Sequence, residues 1–230
     1  MLNKLKRDMQ KLSSSERAIV NARFFKTNKG EYGYGDKFIG LTVPNTRKIA
    51  KEYSNLDLKY TKELLKSKIH EHRLIALLIL IEKFNHSNEK DKKEIINFYL
   101  SNTNYINNWD LVDLSADKLL GNYLLDKDKN ILYKLSRSSS LWEKRISIVS
   151  TYAFIKQNKF QDTLNISKIL LNDKHDLIHK AVGWMLRELG KRNQNVEEEF
   201  LKKYYKQMPR TMLRYSIERF NKDKREFYLS

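Results

Sequence analysis

Asp113 follows Trp109 by four residues in the run Asn107-Asn108-Trp109-Asp110-Leu111-Val112-Asp113, so on a helix the carboxylate and the indole project from one face. A carboxylate at the head of an apolar segment is costly to bury without a partner. Two uses fit that placement: Asp113 caps a helix or bridges to a neighbouring element, or it faces a substrate and stabilises positive charge that develops there. The spacing alone leaves both open. Asp110 is the competing carboxylate and is expected to cap its helix or to face solvent.

Further along, aromatic and basic residues share helical faces. Trp142 and Arg145 are three residues apart, and Lys180, Trp184, Arg187 and Lys191 fall at offsets of four, seven and eleven, one continuous stripe on a helix. Arg210 and Arg214 repeat the four-residue step. A solvated face is the plain alternative, but a stripe of three cations and a tryptophan suits a polyanion better than a core or a bare surface. Trp184 apart, these residues (Arg145, Arg187, Lys180, Lys191, Trp142, Arg210, Arg214) form the expected nucleic-acid-binding set. Other chemistry is poorly supported. His175 and His179 have the spacing of helical metal ligands but lack the intervening glutamate of a His-Glu-x-x-His pair and a nearby third ligand, and His70 and His72 diverge on a helix, so no metal is expected. Gly30, Gly33, Gly35 and Gly40 lie in a loop from 28 to 44, yet no Gly-Lys-Ser/Thr sequence follows and no strand precedes it. A structured turn that touches a ligand or a DNA backbone is the better reading than a nucleotide site, and no cofactor is expected.

The elements that must hold these residues follow from a repeat. Clusters beginning at Arg73, Trp109, Arg145, Lys180 and Arg214 recur at steps of 36, 36, 35 and 34 residues, each continuing with apolar residues at helical intervals. That period is the size of a helix pair. Two short helices over 2–25 and one ending near Tyr53 come first. The pairs then read 59–67 with 70–84, 88–101 with 105–120, 128–136 with 141–157, 160–171 with 175–190, and 195–206 with 210–221. Two prolines and seven glycines among 230 residues suit a chain that is helical nearly throughout. The expected architecture is all-α, one domain over 1–230, a solenoid of stacked helix pairs with a concave cationic surface. The longest apolar run, Leu74 to Ile81, is too short to span a bilayer. The amino terminus lacks the pattern of a secretory signal, which places the protein in the cytosol, and zero cysteines exclude disulfide and thiol chemistry. A formal charge of +17 favours polyanionic partners, nucleic acid first.

Asn108-Trp109-Asp110-Leu111-Val112-Asp113, the Trp142 to Arg145 segment and Lys180-Ala181-Val182-Gly183-Trp184-Met185-Leu186-Arg187-Glu188 together resemble the AlkD-type DNA alkylation repair glycosylases, from about Phe38 to Tyr228. The resemblance implies a right-handed superhelix of HEAT-like repeats and duplex DNA containing alkylated bases as partner, hence a place on the nucleoid; a solenoid with a polar outer face is expected to be a monomer. It implies that Asp113 is the catalytic carboxylate, that Trp109 and Trp184 line the site, and that Arg145 and Arg187 bind the backbone around the lesion. The implied reaction is hydrolysis of the N-glycosidic bond of cationic purines such as 3-methyladenine and 7-methylguanine, without metal or cofactor. One departure stands out: where the family carries a tyrosine in the second helix, this chain has Phe24, followed by the insertion from Gly30 to Asp36, whose Tyr32 or Tyr34 is placed to supply the missing contact. A different class of function, a non-catalytic helical-repeat module for damaged or branched nucleic acid, would be expected to lose Asp113 or the tryptophans. Both are kept.

Overall fold

The computed structural model describes all residues from 1 to 230. The chain is built of helices, and its residues gather into two compact units, Met1–Ser115 and Ala116–Ser230.

In the first unit, α1 (Leu2–Lys11) buries Leu2, Leu5 and Met9, one stripe at helical spacing. The next helix, α2 (Ser15–Phe24), starts at Ser14, whose hydroxyl accepts from the Arg17 amide, and it buries no residue fully. The loop after it ends where Thr42 caps α3 (Val43–Glu52), with Pro44 in the first turn. Then come α4 (Leu58–Leu65), α5 (His70–Asn85), α6 (Glu89–Leu100), a 3₁₀ turn at Thr103–Tyr105 and α7 (Trp109–Ser115). Helix α5 is the axis of this unit. It is buried on all sides from His70 to Ile81 and packs against α3, α4, α6 and α7.

The glycine-rich loop is fastened to the start of α5. Lys37 N–H donates to the Lys68 carbonyl at 2.9 Å and His70 N–H to the Lys37 carbonyl at 2.8 Å. Glu71 accepts from the Gly40 amide at 2.8 Å and from the Ile39 amide at 3.1 Å. Gly40 has φ +74, and a Cβ there would sit 2.1 Å from the Ser14 carbonyl oxygen, so the turn requires glycine on both counts.

The second unit holds α8 (Asn130–Ser136), α9 (Leu141–Ser150), α10 (Tyr152–Ile155), α11 (Gln161–Ile169), α12 (Asp176–Gly190), α13 (Gln194–Tyr204), α14 (Arg210–Ser216) and α15 (Lys222–Leu229). Its axis is α12, which buries Ile178, Ala181, Val182, Met185, Leu186 and Leu189 against α9, α11, α13 and α14. The crossing with α14 is close: a Cβ at Gly183 would lie 2.5 Å from the Met212 carbonyl oxygen.

Three elements differ from the expected pairs. The helix expected over 105–120 stops at Ser115 and passes into a π turn at Asp117–Gly121, where Gly121 N–H reaches back five residues to the Ala116 carbonyl at 2.9 Å. The helix expected over 141–157 is broken between α9 and α10, because Ser147, Ser150 and Thr151 hydroxyls bond to preceding carbonyls and compete with the ladder. A last helix, α15, extends beyond the expected end near 221, capped by Asn221, which accepts from the Lys224 amide at 2.9 Å.

Candidate active site

Asp113 sits in the middle of α7, partly exposed, one turn beyond Trp109 at the head of the same helix. Asn108 turns the chain into this helix by accepting from the Trp109 amide through its side-chain oxygen at 2.8 Å. The Trp109 ring is fixed from two directions. Its Nε1–H donates to the Tyr32 hydroxyl at 3.1 Å, and its face stacks on Phe25 with centroids 5.4 Å apart and planes 28° from parallel. Phe24 approaches edge-on at 5.9 Å and is itself 62% exposed. Of the two tyrosines in the insertion, Tyr32 is the one that contacts Trp109, while Tyr34 stays exposed.

Behind the tryptophan lies a buried polar core that spacing could not reveal. His70, at the start of α5, holds Asp110 through Nε2 at 2.7 Å and faces Asp36 of the loop through Nδ1 at 3.4 Å. Asp110 is therefore neither a cap nor a solvated carboxylate, because the imidazole has captured it. Arg73, one turn on, donates from Nη2 to Asp36 at 2.5 Å and from Nη1 to the Ser67 carbonyl at 2.7 Å. Phe25 and Phe38, stacked on each other at 5.2 Å, both pack against the imidazole, at 4.9 and 4.7 Å. Burial opposes a charge on His70, but the Asp110 and Asp36 carboxylates outweigh it and raise the imidazole above its ordinary value. His72 goes the other way, lowered to about 4 by burial and by the nearby Lys6 and Arg73 cations. The only sequence signal for this core was the pairing of His70 with an Asp in a glycine-rich loop 34 residues earlier, a separation no local pattern reads.

The expected DNA-facing residues of the second unit divide by environment. Arg145 is 5% exposed and its Nη1 donates to the Leu177 carbonyl at 2.5 Å, a tie from α9 to α12. Arg187 pairs with Glu218 and faces Glu188 at 3.5 Å. Trp142 and Trp184 are both partly exposed, and Trp184 lies 6.1 Å from Tyr152 in a tilted contact. Lys191 bonds Glu188 at 2.7 Å, and the exposed Arg210 donates to the Leu229 carbonyl at 2.5 Å. Lys180, Arg214 and Arg225 meet around a recess of about 520 Å³ that Asp176, Thr211 and Tyr215 also line. There Lys180 is paired with Asp176 at 2.7 Å. The two histidines of α12 are engaged locally: His175 accepts from the Leu177 amide, and His179 bonds the Asp173 carbonyl at 2.5 Å.

A family model described as DNA alkylation repair enzyme matches residues 5–220, nearly the whole chain. The chain belongs to the DNA alkylation repair enzyme family. Among solved structures it is similar to a predicted DNA alkylation repair enzyme from Enterococcus faecalis, with a TM-score of 0.71 at 15% identity, covering 91% of this chain and 97% of that one. At that identity the likeness is one of fold. No curated protein matches the chain. A DNA alkylation repair enzyme acts on a polyanion, in keeping with the +17 charge, and no helix here is long and apolar enough to cross a membrane.

Proposed function

We propose that the protein is a monofunctional DNA glycosylase that hydrolyses the N-glycosidic bond of cationic alkylated purines, 3-methyladenine and 7-methylguanine, in duplex DNA. The observation that carries this reading is the pairing on α7 of a partly exposed carboxylate, Asp113, with an indole one turn away whose ring is fixed by Tyr32 and Phe25.

An N-alkylated purine already carries positive charge, so the glycosidic electron pair can leave with the base and neutralise it without a general acid. The barrier lies at the sugar, where C1′ gains oxocarbenium character. A carboxylate held against C1′ stabilises that charge more in the transition state than in the ground state, which is what raises the rate. The negative face of the Trp109 ring adds to the same stabilisation. Water then adds to C1′ and gives its proton to Asp113, leaving an abasic sugar and a free neutral base. By the family resemblance Trp184 is assigned to the lining of the site and Trp142 to DNA binding. Lys180, Lys191, Arg210 and Arg214 take backbone phosphates. Arg145 and Arg187 reach a phosphate only by giving up the Leu177 carbonyl and Glu218.

The test is release of methylated bases from alkylated duplex DNA. Asp113→Asn keeps the shape and removes the charge, and base release falls on the order of 10²-fold while duplex binding persists. Unchanged release by that variant overturns the role of Asp113. Binding without release by the unaltered protein leaves the non-catalytic module as the reading that stands.

A further inference from the structure

We propose that His70 is a positioning residue for the α7 site, holding Asp110 so that Trp109 and Asp113 keep their aim. This inference rests on the catalytic reading of Asp113.

Helix α7 is seven residues long, too short to hold its direction by its own hydrogen bonds. Its first turn is instead fixed from the side. The Asp110 carboxylate, next in sequence to Trp109, is held at 2.7 Å by Nε2 of an imidazole that is 2% exposed. The imidazole cannot swing, because Phe25 and Phe38 stack against it and its other nitrogen faces Asp36 and the Arg73 guanidinium, each at 3.4 Å. Phe25 also carries the Trp109 ring, so one aromatic side chain links the clamp to the indole. The Asp110–His70 contact, the Phe25 stack and the Tyr32 hydrogen bond thus fix two consecutive residues, Asp110 through the first and Trp109 through the other two. Preorganisation of this kind matters because a misplacement of about 1 Å in a catalytic constellation costs up to 10²-fold in rate.

The charged groups around His70 are Asp36 from the loop, Asp110 from α7, and Arg73 with Glu71 from α5 itself; Phe25 and Phe38 contribute no charge. The charged imidazole donates from both nitrogens, to Asp110 and to Asp36. Once neutral, it keeps one donor, and its Nδ1 turns acceptor toward Arg73. The clamp is therefore an ion pair below the folded-state value of His70 and a neutral hydrogen bond above it. Because that value is raised, the extra stability is complete below about pH 6.5 and is lost as pH rises through the folded value. The cationic purine leaving group needs no proton, so no general acid has to stay protonated at alkaline pH for the chemistry at Asp113.

Two variants and two readouts test the proposal. His70→Gln retains a donor toward Asp110 without charge, and His70→Leu retains only the packing against Phe25 and Phe38. Base release is measured against pH, and the His70 ring and the Trp109 indole N–H are both followed by NMR. The expected result has three parts: His70→Leu loses on the order of 10-fold or more in kcat; His70→Gln recovers most of it with a flattened alkaline limb; and in the unaltered protein the alkaline limb, the ring titration and the Trp109 signal share one midpoint. Release by His70→Leu equal to the unaltered protein, or a Trp109 signal indifferent to the titration of His70, overturns it. The spectroscopic readouts need no turnover, so failure of the glycosylase reading would show as absent base release and remain distinct from failure of the clamp.

Discussion

Glu197, on α13, is 1% exposed and its Oε1 meets no hydrogen-bond donor, which makes it the least comfortable carboxyl in the protein. Burial raises it to about 9, with Glu198 adding to the shift and Arg187 opposing it. At neutral pH it is therefore protonated in the folded chain and ionised once unfolded. Sign and window follow directly: the protonated carboxyl is tolerated fully below about pH 4.5, and stability drains away as pH rises from there through 9. Glu197→Gln removes the drain. Thermal or urea unfolding at pH 7 should show the variant more stable on the order of 2 kcal/mol, with the difference vanishing toward pH 4.5; a variant equal to its parent at both pH values rejects the assignment. At this scale the sequence was legible where residues are neighbours along one helix, as with Trp109 and Asp113 on α7. It was opaque where partners are distant, as with Asp110, whose imidazole lies 40 residues earlier.

Helices declare themselves through apolar period and caps, and the elements of α5, α6, α9, α12 and α14 begin within a few residues of where the pattern puts them. The misses share a cause. The π turn after α7 and the break after α9 arise from hydroxyls and a backbone adjustment that leave the apolar stripe unchanged, so no hydrophobic count detects them. Helix α15 carries few buried residues, only Tyr228, and so gives almost no stripe to read; its Asn221 cap was the available signal. Gly183, buried beside the basic stripe of α12, was legible as a residue but not as a contact. Gly183→Ala drives a methyl into the Met212 carbonyl and Tyr215, forcing α12 and α14 apart at a cost of about 1–3 kcal/mol. Denaturant unfolding checks this, and a neutral effect would mean that α14 is loosely seated.

For the molecule as a whole, charge is the quantity that composition reports without ambiguity. With +17 on 230 residues, binding to plain duplex DNA should weaken steeply with salt, the log–log slope steepening by about 0.9 for each phosphate neutralised. Titration of a fluorescent duplex across salt concentrations measures it, and a flat profile rejects the polyanion reading. The two axial helices, α5 and α12, also differ from the rest in their freedom to vary. From His70 to Ile81 no side chain of α5 reaches solvent, whereas α2 buries none of its own. Drift along α5 must come as compensated changes in several neighbours at once, and so it is slow. Drift along α2 is cheap, and Phe24 of that helix touches Trp109. A lineage that needs to handle a different modified base therefore has a route to it that leaves the interior intact, through α2 and the loop that follows.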